Sequence, residues 1–505
     1  MLARKIVAIP CLCAMVRGVC CAAIVSSLAG CMLGPDFHKP AAPDAKTYTS
    51  EARPAQTASA PVAGGAAQDF VSGADLPGDW WTLFHSTALN ALVERALKNN
   101  PDLDAARAAL TAAHENALAQ RGAYFPAINA DASATRQKQP GTLSPTPSNN
   151  ASLYSLFTPQ LSVSYAPDVF GLNRHTLESL QAQAQATRFA LVAAHIALAA
   201  NVVNAAVGEA ALRGQMAASE QLVDIEAQSV KILRYQFDKG YASRLDLAAQ
   251  EAQLAQTQAT LPPLRKQLEQ QRHLIAALAG EFPAQAQTED FDLASLSLPQ
   301  DLPLSLPSKL VEQRPDVRQA QANWHAASAQ VGVAIANRFP QITLSANAGS
   351  TALDIGQVFH SGTGFWGVGL DVAAPIFAGG KLLHAERAAK AQLAQAAAQY
   401  RGTVLTAFQN VADTLTALDQ DAKALQAAAA AASAAQTTLD LSQRQTQAGY
   451  ANYLSLLNAQ QAWQQARIAL IQAQANRYAD TAALYLALGG GWWHRADLSG
   501  KNDDE

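Results

Sequence analysis

Charge is scarce in this chain. Only 15% of its 505 residues are Asp, Glu, Lys or Arg, and the net charge of -4 leaves no basic surplus. Without a Lys/Arg run there is no electrostatic footprint for a nucleic-acid backbone, and no nucleic-acid partner is expected. The ten histidines are scattered, no two within four positions, so they predict no zinc or redox site. Ser and carboxylate residues form no recognisable catalytic motif. Gly489-Gly490-Gly491 is not a phosphate loop, because no Lys-Ser/Thr follows it. Neither an enzyme nor a cofactor is therefore expected. Beyond the first thirty residues there is no run of eighteen uncharged, strongly apolar residues, which argues against a membrane-spanning helix. Length is not the limit, since this many residues could fill two or three domains.

Cysteine is nearly absent as well. Cys11, Cys13, Cys20 and Cys21 fall within residues 1–30, leaving Cys31 alone afterwards, so no internal disulfide framework is available. Residues 1–30 read as an export signal, with Arg4 and Lys5 ahead of an apolar stretch. The segment ends Leu28-Ala29-Gly30-Cys31, which resembles the lipobox of bacterial lipoproteins. That resemblance implies cleavage before Cys31, a diacylglycerol on its thiol and further acylation. Each buried CH₂ would contribute roughly 0.8 kcal/mol, and several chains make a durable anchor. Met32, rather than Asp, stands at the position of the inner-membrane retention signal and so favours the outer membrane. An ordinary cut near Ala29 and an uncleaved anchor are the alternatives. From residue 31 to about 85, Pro, Ala, Ser and Gly prevail without apolar periodicity, which predicts an extended tether.

What the chain does have is an internal duplication. Pro101-Asp102-Leu103 returns as Pro315-Asp316-Val317 and Tyr124-Phe125-Pro126 as Arg338-Phe339-Pro340. Ala166-Pro167 returns as Ala374-Pro375, and Gly240-Tyr241 as Gly449-Tyr450. Four anchors in one order at nearly one spacing predict two copies of one large unit, 86–294 and 308–488, joined by a Pro/Leu-rich linker at 295–307 and followed by a tail at 489–505. In each copy a helical stretch (Thr87 to Gly122; Ser308 to Asn337) ends at Phe-Pro, because proline disfavours helix in the residue before it. Two strands follow, then a very long Ala/Gln-rich helix (about Leu172 to Lys239; Lys381 to Ala448). At 1.5 Å per residue such helices should reach ~100 Å. Gly240 and Gly449 fit as C-caps and Ser243 and Asn452 as N-caps of returning helices. Pro262-Pro263 should kink or break the first of these.

Four segments, about 128–135, 160–165, 342–349 and 366–373, alternate with period 2. In the last, Trp366, Val368, Leu370 and Val372 oppose Gly367, Gly369 and Asp371. Taken alone, each could be a half-buried strand of a soluble sheet. Their long polar connections (Arg136 to Ser155; Ser350 to Gly364) instead suit membrane barrel strands. Four strands cannot close a barrel, and lipid tolerates no open edge. The barrel must then be shared between copies, and three copies would supply twelve strands.

The segment Leu306 to Val317 (LPSKLVEQRPDV) looks like the signature that opens the second repeat of the TolC/OprM/NodT family of outer-membrane factors. Gly34-Pro35-Asp36-Phe37, Tyr453 to Gln460 (YLSLLNAQ) and Ala487 to Trp492 (ALGGGW) are also similar to it, and together they cover almost all of the chain beyond Cys31. This resemblance implies a mainly α protein with a membrane β-barrel: a homotrimer whose twelve-stranded barrel is continuous with a twelve-helix periplasmic α-barrel. It further implies passive conduction of small molecules, with a periplasmic adaptor and an inner-membrane transporter as partners. Tyr165 to Arg174 (YAPDVFGLNR) resembles a branch that includes fusaric-acid resistance proteins.

The resemblance places the two Gly-Tyr turns at the periplasmic tip. Gly240, Tyr241, Arg244, Leu245 and Asp246 at the first, with Gly449, Tyr450 and Tyr453 at the second, are candidates for adaptor contact; otherwise they cap the turns or carry solvated charges. Leu454 and Asn458 lie one helical turn apart on one face and are candidates for a pore constriction. Leu454 could equally pack between helices. Close relatives often hold Asp where Asn458 stands, so an anionic ring at this level is in doubt. Ala-rich helices also suit a periplasmic adaptor or a structural coiled-coil rod. Two hairpins, each preceded by paired amphipathic strands, favour the channel.

Overall fold

The computed structural model describes residues 33–50, 54–138, 153–286 and 289–499. The expected signal peptide and Cys31 lie outside them, as does most of the first polar loop. In chain order the elements are β1 (Asp69–Ser72), α1 (Thr87–Asn99), α2 (Pro101–Arg121), β2 (Ala127–Lys138), β3 (Leu153–Tyr165), α3 (Leu172–Asp238) and α4 (Arg244–Leu278). Then follow β4 (Asp301–Leu304), α5 (Pro307–Gln313), α6 (Pro315–Ala336), β5 (Gln341–Ser350), β6 (Gly364–Ala373), α7 (Lys381–Gln447) and α8 (Tyr453–Ala487). The two long helices α3 and α7 each have 67 residues and the two returning helices 35, and the order of two helices, two strands and a long helical hairpin occurs twice. The expected leading helices are each two helices. Asn100 and Arg314 sit in extended backbone ahead of Pro101 and Pro315, the proline restricting its predecessor in both repeats.

Two compact units cut the chain differently from the repeats, each drawing on both copies. The first contains residues 111–186 and 321–399 and is organised on a four-stranded antiparallel sheet in the order β2-β3-β5-β6. The observed strands run longer than the alternation indicated. Register is fixed by the pleat: Ile128 faces Val163, Val163 faces Ala346, and Ala346 faces Val368. One apolar face results, carrying Ile128, Leu161, Leu344, Val368, Leu370 and Val372, all exposed. The opposite face carries Asn129, Asp131, Ser162, Asn347 and Asp371, with Ser162 Oγ donating to Asp131 Oδ2 at 3.1 Å.

The segment expected to be a structureless tether is fixed at several points. In the first unit Phe37 stacks on His325 (centroids 5.5 Å from Trp324 and 4.5 Å from His325). Glu178 bridges His325 Nε2 at 2.7 Å and His175 Nδ1 at 3.2 Å beneath it. In the second unit (40–110, 187–320 and 400–505) β1 pairs in parallel with β4, a two-stranded sheet absent from the sequence reading. Gln68, fully buried, donates to the Pro299 carbonyl at 2.8 Å, and buried Arg477 donates to the carbonyls of Leu418 and Ala66. An aromatic core of Trp80, Phe84, Tyr478 and Tyr485 completes this region. Three consecutive left-handed glycines, 489–491, turn the chain out of α8, and a Cβ on Gly491 would lie 2.2 Å from the Pro77 carbonyl oxygen. The glycine triplet is therefore a packing requirement.

Two further expectations are corrected. Pro262 and Pro263 do not break α4, which is helical throughout. The carbonyls they leave without donors belong to Gln258 and Ala259, both on the exposed side of the helix and so open to solvent. Within α3 there is one stretch long and apolar enough to cross a membrane by length and composition. Val192, Ile196, Val202, Val203 and Val207 in this helix are buried inside the protein, so its apolarity is that of a core helix.

Candidate functional site: two helical tips and an amphipathic sheet

Both tips are built by the same turn. At the first, Gly240 is left-handed (φ 80°) and the Tyr241 N–H reaches back to the Gln236 carbonyl at 2.8 Å; at the second, Gly449 (φ 76°) does the same with Tyr450 and Gln445. Gly240 and Gly449 also donate to the Phe237 and Thr446 carbonyls, completing a Schellman pair at each end. The returning helices start on side-chain caps. Ser243 Oγ accepts from the Asp246 N–H at 3.0 Å and donates to Asp246 Oδ2 at 2.6 Å, while Asn452 Oδ1 accepts from the Ser455 N–H at 3.0 Å.

These turns push apolar side chains into solvent. Tyr241 is 84% exposed, Leu245 79%, Tyr450 88% and Leu454 61%. Leu454 and exposed Asn458 share one face of α8, so within one chain Leu454 is not a packing residue between helices. Tyr453 behaves differently from its neighbours: it is half-buried and its hydroxyl donates to Gln236 Oε1 of α3, tying the second tip to the first. Burial, then the charge of Asp246, raises its hydroxyl above the ordinary tyrosine range. Arg244 is exposed, and Asp246 is held as a cap partner.

Behind the tips the hairpins pack through Leu222, Leu439, Leu456, Ala459 and Trp463. Beside this cluster runs a polar seam that the sequence reading missed. Gln250 donates to Gln460 at 3.3 Å and Gln461 to Gln253 at 2.9 Å. Glu226 of α3 is fully buried against it, and burial raises its carboxyl while Thr257 and Gln253 of α4 partly offset that. The signal was present: Glu226 stands at i+4 from Leu222 and i−4 from Val230, within an apolar stripe.

The sheet, in the first unit, is a separate candidate feature. Its exposed apolar face and polar opposite face match a surface with lipid on one side and water on the other. Among the described residues β2 and β6 are each paired on one side only.

The family model for outer membrane efflux proteins matches residues 92–281 and 306–490. The chain belongs to the outer membrane efflux protein family. Among relatives, the probable efflux pump outer membrane protein TtgC of Pseudomonas putida is 32% identical over 475 residues, spanning 93% of this chain and 94% of TtgC. Outer membrane protein OprJ of Pseudomonas aeruginosa is 30% identical, spanning 94% and 96%. The solved outer-membrane channel OprN superposes with a TM-score of 0.80 at 28% identity, covering 92% of this chain and all of OprN. The protein is an outer-membrane efflux channel with a periplasmic extension, a transport component and not a member of an enzyme class. The adaptor and coiled-coil alternatives are thereby set aside.

Proposed function

We propose that three copies of this efflux protein close one twelve-stranded β-barrel in the outer membrane and a twelve-helix α-barrel in the periplasm. The observation that carries it is the sheet: four strands, an exposed apolar face and two unpaired edges. In lipid each unpaired backbone group costs several kcal/mol, so the edges must be closed by other copies. The conduit passively conducts small organic molecules delivered by a periplasmic adaptor and an inner-membrane pump. The names of relatives support that cargo class, being those of antibiotic, toluene and pyoverdine efflux or export proteins.

Within this reading Cys31 carries the lipid as an auxiliary tether, since the strands hold the trimer in the bilayer by themselves. Gly240, Tyr241, Arg244, Leu245, Asp246, Gly449 and Tyr450 form the adaptor-facing tip. Tyr453 acts there as a strut, and Leu454 with Asn458 constricts the pore. Planar-bilayer recording of the purified protein is the test. Discrete channel openings are expected, and a protein that inserts but never conducts rejects the conduit. Cys31→Ala should abolish lipid labelling in cells, and a persistent label removes the anchor.

A further inference from the structure

Just beyond the ends of β3 and β5, inside one chain, Phe170 stacks on Phe339, with ring centroids 5.2 Å apart and planes at 26°. Phe170 follows the end of β3, and Phe339 precedes the start of β5, so this pair closes the seam where one strand hairpin meets the next. The duplication supplies a second set of the same residues. Phe339-Pro340 corresponds to Phe125-Pro126 ahead of β2. Ala166-Pro167, Val169-Phe170 and Gly171 correspond to Ala374-Pro375, Ile376-Phe377 and Gly379 after β6, with one residue fewer ahead of the apolar pair and one more behind it. Among the described residues the second set shows no such ring pair inside the chain: Phe377 is 90% exposed, Ile376 93% and Phe125 68%.

Strand direction brings the two exposed rings to a common level. Ala127 pairs with Ser164, Tyr165 with Leu344, and Gln341 with Ala373. The start of β2 and the end of β6 therefore lie at the same end of the sheet, on opposite edges. They can meet only between copies.

Resting on the shared barrel proposed above, we infer that Phe377 of one copy stacks on Phe125 of the next. Each seam between chains then repeats the Phe170–Phe339 seam within a chain, giving six aromatic clasps around a ring of three copies. The exposed rings lie beside an unpaired strand edge, and offset or tilted ring pairs are a favoured way to cover such surface.

Paired cysteines in the full-length chain test this. On mild oxidation, Phe125→Cys with Phe377→Cys should give covalent dimers and trimers on non-reducing denaturing gels. Either single variant should give none, which also controls for Cys31. Phe170→Cys with Phe339→Cys should crosslink within one chain and serves as the positive control. Native mass spectrometry of the same samples counts the chains. A three-chain mass and a crosslinked control without interchain bands would overturn the clasp and leave the trimer standing. A single-chain mass would overturn the trimer and the clasp with it. Should the cysteine pair fail to assemble, Phe125→Ala, Phe377→Ala and the double variant replace it. Each single change should lower the temperature at which trimers fall apart, and the double change should lower it little further; additive losses contradict a direct pair.

Discussion

The two helical tips share a backbone and differ in chemistry. Gly240 and Gly449 adopt nearly the same left-handed angle, the following tyrosines close the same bond, and both returning helices begin on a side-chain cap. Yet the first tip carries Asp238, Lys239, Arg244 and Asp246, while the second has no charged residue from Gln445 to Ala466. The interior behind them differs in the same sense. At the spacing that relates Gly240 to Gly449, Glu226 of the first hairpin corresponds to Ala435 of the second. Duplication kept the turn geometry, which any tight hairpin needs, and left the chemistry free to specialise. On the reading proposed above both tips face the adaptor, the charged first tip adding electrostatic steering and the neutral second tip also leading into a passage that favours no ion.

The largest effect is expected from charge reversal at the first tip. Arg244→Glu should change the rate of adaptor association by about tenfold at low salt and little at high salt, as rim charges do. Binding kinetics at two ionic strengths check this, and an equal effect from a charge placed at Tyr450 would dissolve the distinction between the tips. Next come the turns. Valine at Gly240 or Gly449 should cost about 1–2 kcal/mol at either site, because a side chain with Cβ is strained in the left-handed region. Thermal unfolding by circular dichroism should find the two losses alike. Removing a cap should cost about 1 kcal/mol for Ser243→Ala and for Asn452→Ala.

Leu454→Ala with Asn458→Ala should raise single-channel conductance, and Tyr241→Ala with Leu245→Ala should leave it unchanged; the reverse pattern would exchange the roles of the tips. The smallest effect separates the two interiors. Glu226 is raised in the folded state, so below its ordinary value near 4.5 it is neutral folded or unfolded and costs nothing. As pH rises above that value the unfolded chain ionises first, and folded stability falls. Glu209 and Asp480, also raised by burial, contribute in the same sense, so Glu226→Gln should lessen this decline in a series of melting curves, and a series identical to the parent's would place the titrating groups elsewhere.

Much of this was legible because the relevant signals are local. A period of two marked all four strands of the larger sheet and a Gly-Tyr pair marked each turn, whereas the helix breaks before Pro101 and Pro315 went unread although proline restricts the residue before it. The strand ends were underestimated because Arg136 and Lys138 at the end of β2, and Leu153 to Pro159 at the start of β3, interrupt the alternation while the backbone pairing continues. β1 and β4 were missed because their four-residue strands are paired across more than two hundred residues, and neither carries a pattern of its own. The effect of Pro262-Pro263 depends on which carbonyls they leave open and whether water reaches them, which a proline count does not encode. Leu454 and Asn458 could be placed on one face from spacing alone. That Tyr453, next to Leu454, turns inward to Gln236 follows only from how α8 meets α3.

The shared barrel is the central claim, and native mass spectrometry of the full-length protein released from a mild detergent tests it most directly. The account predicts the mass of three chains, each with the acyl chains of a lipidated Cys31. A folded single chain, with its helical spectrum intact and its sheet edges unpaired, would contradict it.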